Sequence, residues 1–109
     1  MLKDYVLQEK VFYLGLSGIE YSKSRLNSDN NWNTDVIKIP ENDKKRLLSS
    51  AAGETVFFGE GGFKMIREKG SNTVYSIGFT GKTLASAKCY SFQKLVFSIP
   101  FKKVSWGVF

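Results

Sequence analysis

The sequence predicts an α+β fold in which one long N-terminal helix lies across one face of an antiparallel β-meander. Over residues 2–27, apolar residues recur at spacings of three and four, which is the period of an amphipathic helix. From residue 54 the apolar residues alternate with a period of two, and glycine-containing turns separate the alternating segments. A chain of 109 residues has the size of one domain, so we expect a helix over 1–27, a connecting segment over 28–53 and a sheet over 54–109.

The predicted helix carries a wide apolar stripe, which indicates that much of its surface is covered. Gly15 and Gly18 are unusual in a helix interior, where each costs about 1 kcal/mol relative to Ala. We expect them to allow a close backbone approach, either to the sheet of the same domain or to another helix in an assembly. The stripe consists of two adjacent rows: Leu7, Val11, Leu14, Gly18 and Tyr21, and then Phe12, Leu16, Ile19, Lys23 and Leu26.

The connecting segment begins with a polar cluster at residues 27–31, which predicts the end of the helix. Residues 32–39 are expected to be irregular or to form a short strand. A short second helix is predicted over 41–52. The residues that mark its ends are Glu41 and Asp43 in the first turn and Gly53 as the C-terminal stop.

Five strands are predicted in the second half of the chain, with Tyr75, Ile77 and Phe79 on one face of the third. The fourth is either continuous or broken near Ser91, and Pro100 interrupts it. For residues 101–109 a last edge strand, a swapped arm and a flexible tail all stay open. The predicted strands are 55–58, 63–69, 73–80, 83–99 and 101–109, and the predicted turns are 59–62, 70–72 and 81–82.

Catalytic chemistry has little support in this composition, and we expect a protein that is not an enzyme and uses no cofactor or metal. The chain has no histidine and one cysteine, which excludes an internal disulfide and a cysteine–histidine zinc site. Cys89 is expected to be a small buried residue rather than a nucleophile. The glycines of residues 59–62 are expected to form a hairpin turn, because a phosphate-binding loop is followed by a helix and a strand follows here.

The positive charge lies in the second half of the chain. Residues 1–60 carry eight Lys and Arg against nine Asp and Glu, whereas residues 61–109 carry eight against the single Glu68. Basic residues interleaved with aromatic rings can bind nucleic acid or another anionic polymer. Lys on strands also protects sheet edges, and aromatic rings also fill a core, so both interpretations stay open. The candidate binding residues are Lys64, Arg67, Lys82, Lys88, Lys94, Lys102 and Lys103.

Residues 11–26, followed by Trp32, resemble the helix of type IV pilin-like proteins, in particular minor pilins and pseudopilins of the X and K types. The residues that match that pattern are Phe12, Tyr13, Leu14, Ser17, Gly18, Ile19, Glu20 and Tyr21. Gly15 stands where Ala is usual, and Leu16 stands where Glu is usual, which puts any role of that Glu in subunit contacts in doubt. The strands from 61–65 and 73–81 are similar in style to the sheet of that family, so the resemblance covers about residues 8–99.

The resemblance implies a filament subunit of a type IV pilus or of a type II secretion-like system, located in the bacterial cell envelope or in an extracellular filament. Its partners would be other pilin or pseudopilin subunits, with adhesion or DNA uptake as contributions. A leader and a hydrophobic anchor would precede the helix; no apolar run here approaches the roughly 18–20 residues that span a bilayer. The residues assigned to helix packing and assembly are Phe12, Leu14, Gly15, Leu16, Gly18, Ile19 and Tyr21.

Two other classes of function stay open at this point. One is a small basic nucleic-acid-binding module that uses the Lys-rich sheet. The other is a cytosolic protein-interaction domain, which requires that Met1 be the native start. Trp106 and Phe109 would be costly to leave in water, so a partner surface is expected near the C-terminus.

Overall fold

A computed structural model describes residues 2–35, 38, 43–51 and 53–109 of the chain, with the side chains of residues 2–6 outside that description. It is an α+β structure: one long helix and one short helix precede a sheet of five antiparallel strands in sequence order, β1-β2-β3-β4-β5. The elements are α1 (Leu2–Ser28), α2 (Lys44–Ser49), β1 (Glu54–Phe58), β2 (Gly61–Ile66), β3 (Thr73–Thr80), β4 (Tyr90–Ser98) and β5 (Lys102–Val108).

The helix α1 lies across β2, β3 and β4, as the sequence predicts. Alternation along β3 sends Val74, Ser76 and Gly78 toward the helix, and β4 contributes Leu95 and Phe97 to the same side. The core on this face contains Ile19, Leu26, Val74, Leu95 and Phe97, with Trp32 and Phe101 at its margin.

The opposite face of the sheet is also covered. Tyr75 and Ile77 of β3 pack there against Leu47 of α2 and Ile66 of β2, and Phe79 contacts Phe57 by an edge-to-face ring contact. The prediction that Tyr75, Ile77 and Phe79 share one face is therefore confirmed, and that face is the one turned away from α1. The residues around this second core are Leu48, Leu84, Tyr90, Phe92 and Phe109.

The short helix α2 has fewer residues than predicted. The Asp43 carboxylate accepts a hydrogen bond from the backbone N–H of Arg46 and begins the helix, and Ser50 ends it by donating its backbone N–H to the Arg46 carbonyl. The helix α2 therefore ends at Ser50 and not at Gly53. Gly53 lies just before β1 and has a φ of +104°. Glu41 lies outside the described residues.

The predicted short strand over 32–39 is described only in part. Asp35 forms a single parallel bridge with Glu68. Residues 36, 37, 39 and 40 lie outside the description.

Three strand boundaries differ from the prediction by more than one residue. The strand β2 begins at Gly61, so Gly61 and Gly62 belong to a strand rather than to the turn; a side chain on Gly62 would overlap the Val56 carbonyl. It ends at Ile66, because the Arg67 backbone bonds to Thr34 instead of continuing the ladder.

The fourth strand begins at Tyr90, not at residue 83. The hydroxyl of Thr83 accepts the backbone N–H of Ser86 at 3.1 Å and lies 2.8 Å from the Ser86 hydroxyl, which folds residues 83–86 into a turn. The last strand, β5, lies at the edge as predicted and pairs with β4 through a bulge at Val96 and Phe97.

Candidate functional site

The residues expected to act in helix packing all lie on α1, where the structure separates them by burial. Gly15, Gly18 and Ile19 are buried, whereas Phe12, Leu14, Leu16 and Tyr21 are half-buried.

The two glycines bring the backbone of α1 onto the middle of the sheet. A methyl group on Gly18 would overlap the hydroxyl of Ser76, and one on Gly15 would lie 2.5 Å from the Gln93 amide nitrogen. On the strand side, a methyl group on Gly78 would overlap the helix backbone. Of the two roles expected for these glycines, close packing of the helix on the sheet of the same domain is the one seen.

The face of α1 turned away from the sheet is mostly polar. Ser17, Glu20 and Ser24 are exposed along it, and Leu16 is half-buried at its flank. Tyr13 is 56% exposed and is a large apolar side chain on this face. A partner that contacted this face would therefore meet one ring and a row of small polar groups.

The first turns of α1 with described side chains are more exposed than the rest of the helix. Among the helix residues with described side chains, 7–28, Val11 is the first that is buried; Gln8, Glu9 and Lys10 are exposed and Leu7 is half-buried. A helix rises about 1.5 Å per residue, so the nine helical residues before Val11 span roughly 13 Å. The long dimension of the molecule, 43 Å against 23 Å for the other two, agrees with a helix of about 40 Å.

Lys64 does not belong to an exposed basic surface, contrary to the sequence prediction. It is 5% exposed on the sheet face that α2 covers. Its Nζ donates to the carbonyl of Ser50 at 2.7 Å and to that of Leu47 at 3.5 Å, so it satisfies carbonyls at the end of α2. Burial lowers the pKa of Lys64, and the nearby Asp35 carboxylate acts in the opposite direction.

Arg67 is likewise an interior residue, 3% exposed. Its guanidinium donates to the carbonyls of Asn30, Trp32 and Ser71, and its carbon lies 4.9 Å from the centre of the Phe97 ring. Burial lowers the pKa of Arg67 despite the opposing effect of Asp29. This side chain joins the loop after α1 to the β2–β3 turn and is a structural residue.

The remaining candidate cations are at the surface. Lys82, Lys88, Lys102 and Lys103 are exposed, and Lys94 is half-buried. Lys82 and Lys88 line a cleft of about 410 Å³ between α1 and the loop before β4. Lys10, Thr80 and Ser86 belong to the same lining, and so does the acidic residue Glu60.

Sequence reasoning missed Lys10 because the charges of α1 were assigned to a solvated helix face. The signal for it in the sequence is its position three residues after Leu7, which places the two side chains on the same side of the helix. Lys64 and Arg67 were missed as interior residues because a cation on alternate strand positions normally points to solvent.

A second cleft, of about 700 Å³, lies between α1 and the end of the sheet where β4 begins and β5 ends. Phe12, Tyr13, Phe92 and Val108 line it together with Cys89. Cys89 is buried and has no disulfide partner, as predicted for a small apolar residue.

The aromatic residues near the C-terminus are buried to different degrees. Phe109 packs against the rings of Tyr75 and Phe92. Trp106 is 36% exposed; its indole N–H donates to Gln93 at 3.1 Å and its ring meets the edge of Phe12. The apolar surface that is exposed near the C-terminus therefore lies on β5 and not at Phe109.

Across the described ranges, no three His, Cys, Asp or Glu side chains lie close enough to hold a metal ion. In the same part of the chain, no helix is both long and apolar enough to cross a bilayer. Comparison of the chain with protein-family models, with curated proteins and with solved structures found no match.

Proposed function

We propose that the protein is a non-catalytic filament subunit, a minor pilin or pseudopilin of a type IV pilus or of a type II secretion-like assembly. The observation that carries the proposal is the exposure of the start of α1: among residues 7–28, Val11 is the first that is buried. A subunit that polymerises through its helix needs a helical segment that its own domain does not cover, because the free energy of assembly comes from burying that segment between subunits.

Two further features support the proposal. The turns before Val11 contain the apolar residues Leu2, Val6 and Leu7 in sequence, and apolar surface that its own domain leaves uncovered gains stability when a partner covers it. On the outer face, Tyr13 supplies a large exposed ring at the start of the sheet-bound half of the helix. In this proposal the polymer lies in the cell envelope or outside the cell.

The first test reads the codons that precede Met1 in the gene. We expect an in-frame leader followed by about 20 apolar residues that continue the helix. A stop codon and a ribosome-binding site directly upstream would overturn the proposal and leave a cytosolic protein-interaction domain.

The second test measures incorporation in the cells that carry the gene. Tyr13→Lys and Leu16→Lys place charges on the outer face of α1, and we expect the protein to disappear from sheared filaments while its fold is retained. Asn72→Lys, an exposed position in the β2–β3 turn, is the matched control and should incorporate normally. Equal incorporation of all three variants would contradict the assigned face.

A second candidate function is binding of nucleic acid or another anionic polymer, and the cleft lined by Lys10, Lys82 and Lys88 is the observation that favours it. None of these three lysines forms an ion pair within the described part of the chain, so their charge is available to phosphates. Three phosphate contacts give an affinity for duplex DNA that falls with salt with a log–log slope of roughly −3.

Fluorescence anisotropy with a labelled DNA duplex tests this second candidate. Lys82→Glu combined with Lys88→Glu should abolish binding, whereas Lys45→Glu combined with Lys69→Glu, an equal change of charge at exposed sites elsewhere, should weaken it only slightly. Binding that is absent at low salt, or equal in both double variants, would remove the candidate.

A further inference from the structure

Among the residues that the structure describes, each edge strand of the sheet has one side without a neighbouring strand. In that part of the chain β1 pairs with β2 alone and β5 pairs with β4 alone, while α1 covers the three strands between them. An edge strand presents unpaired backbone N–H and C=O groups that another strand can use.

Both edges also expose large apolar side chains. Phe57 and Phe58 on β1 are each 56% exposed. On β5, Val104 is 63%, Trp106 is 36% and Val108 is 57% exposed. Long exposed apolar edge strands are unusual in a protein that stays monomeric, and they favour strand-to-strand association.

The two edges carry opposite charge. Residues 51–63, which contain β1, hold Glu54 and Glu60 and no Lys or Arg. Residues 91–109, which contain β5, hold three Lys and no acidic residue, and Lys102 and Lys103 are exposed at the start of the strand. Glu54 lies 3.9 Å from Arg25, but both groups are largely in solvent, so this contact is weak and can yield to another cation.

We propose that β5 of one molecule pairs with β1 of a second copy of this chain and extends the sheet from one copy to the next. In a five-stranded antiparallel meander, β1 and β5 run in the same direction. A copy that continues the sheet with its helix on the same side therefore pairs these edges in parallel. When Phe58 lies beside Trp106, Glu54 lies beside Lys102 and Lys103, so apolar and charged positions match in one register.

Pairing of identical edges fits the charges less well. A two-fold contact between two β5 strands offers no carboxylate of the strand to Lys102 and Lys103, and one between two β1 strands offers no Lys or Arg of the strand to Glu54. The contact between β5 and β1 leaves a free β1 and a free β5 at the ends, so it can continue to further copies. It uses the sheet edges and not α1, and it stands independently of the filament proposal.

Sedimentation velocity over a range of protein concentrations tests the proposal. A single strand pair is a small interface, so we expect the wild-type sedimentation coefficient to rise only at high protein concentration, on the order of 0.1–1 mM. One variant combines Lys102→Glu with Lys103→Glu, and the other combines Glu54→Lys with Glu60→Lys. Each alone places like charges at the joint and should stay monomeric.

Mixing the two double variants is the decisive measurement. Each β5 in the mixture meets a β1 of opposite charge on the other variant, so association should return to the wild-type level or above. Lys45→Glu combined with Lys69→Glu should associate like the wild type, and thermal melts of all variants check that they fold. A wild-type protein that stays monomeric at 1 mM overturns the proposal, and its edge lysines then act only against aggregation.

Two further outcomes would also overturn it. Association of the Glu54→Lys and Glu60→Lys variant alone would show pairing between two β5 strands. Association of the Lys102→Glu and Lys103→Glu variant alone would show pairing between two β1 strands.

Discussion

The hydroxyl of Ser76 donates a hydrogen bond of 2.7 Å to the carbonyl oxygen of Gly15. Ser76 is in the middle strand of the sheet and Gly15 is near the middle of α1, so this bond joins the two elements at their point of closest approach. It forms because Gly15, Gly18 and Gly78 have no side chains to keep the helix backbone away from the strand. The position of α1 along the sheet follows from this contact.

The close approach predicts that Gly18→Ala destabilises the protein by about 2 kcal/mol, because the added methyl group overlaps Ser76 in a packed interior. Gly107→Ala is the matched control: no atom lies within 4 Å of the added group, so its free energy of unfolding should change by less than about 0.5 kcal/mol. Urea denaturation measures both. An equal effect of the two substitutions would contradict the tight contact.

The hydrogen bonds of Arg67 predict a large loss of stability when its guanidinium group is removed. Arg67→Met leaves the buried carbonyls of Asn30, Trp32 and Ser71 without these donors and should cost about 3 kcal/mol. Arg67→Lys should recover only part of this, because one ammonium group cannot reach all three carbonyls. Lys69→Met, at an exposed neighbouring position, is the control. Full stability of Arg67→Lys in urea denaturation would disprove the structural role.

The buried Lys64 predicts a specific dependence of stability on pH. Its pKa in the folded protein lies below the ordinary value of 10.5. As the pH rises toward that value, the folded protein binds fewer protons at this site than the unfolded chain, so the free energy of unfolding increases. Denaturation at about pH 8 and about pH 10 should show this increase in the wild type relative to Lys64→Met. A difference between the two proteins that does not change with pH would refute it.

The hydrogen bonds of Gln93 predict that one substitution changes both the stability of the protein and the fluorescence of Trp106. This fully buried side chain donates to the Phe12 carbonyl at 2.8 Å and accepts the Trp106 indole N–H at 3.1 Å. Gln93→Met should destabilise the protein by about 1–3 kcal/mol and should shift the emission of Trp106 as its indole loses this partner. Trp32→Phe in both proteins isolates the Trp106 signal. Unchanged emission would count against the hydrogen bond.

Periodicity predicted the regular elements well where packing on one face dominates. The third strand, 73–80, matches its prediction at both ends, and α1 extends one residue beyond the predicted end. The start of β4 was wrong because the hydroxyls of Thr83 and Ser86 form local hydrogen bonds that strand periodicity does not register.

Burial of the two interior cations was harder to predict, and this affected the candidate site. Lys64 alternates with apolar residues as a solvent-facing strand residue would, but α2 covers its face of the sheet. Arg67 follows the end of β2 and meets carbonyls from a loop more than thirty residues earlier in the chain. Contacts between segments so distant in sequence carry no local pattern.

The order of the elements along the chain has a consequence for biosynthesis. During translation α1 is made before the strands that cover it, and these strands extend to Ser98. The apolar stripe of the nascent helix therefore stays uncovered while some seventy further residues are translated. This takes several seconds at roughly 5–20 residues per second. Until β4 is complete, this apolar surface makes the nascent chain prone to aggregate.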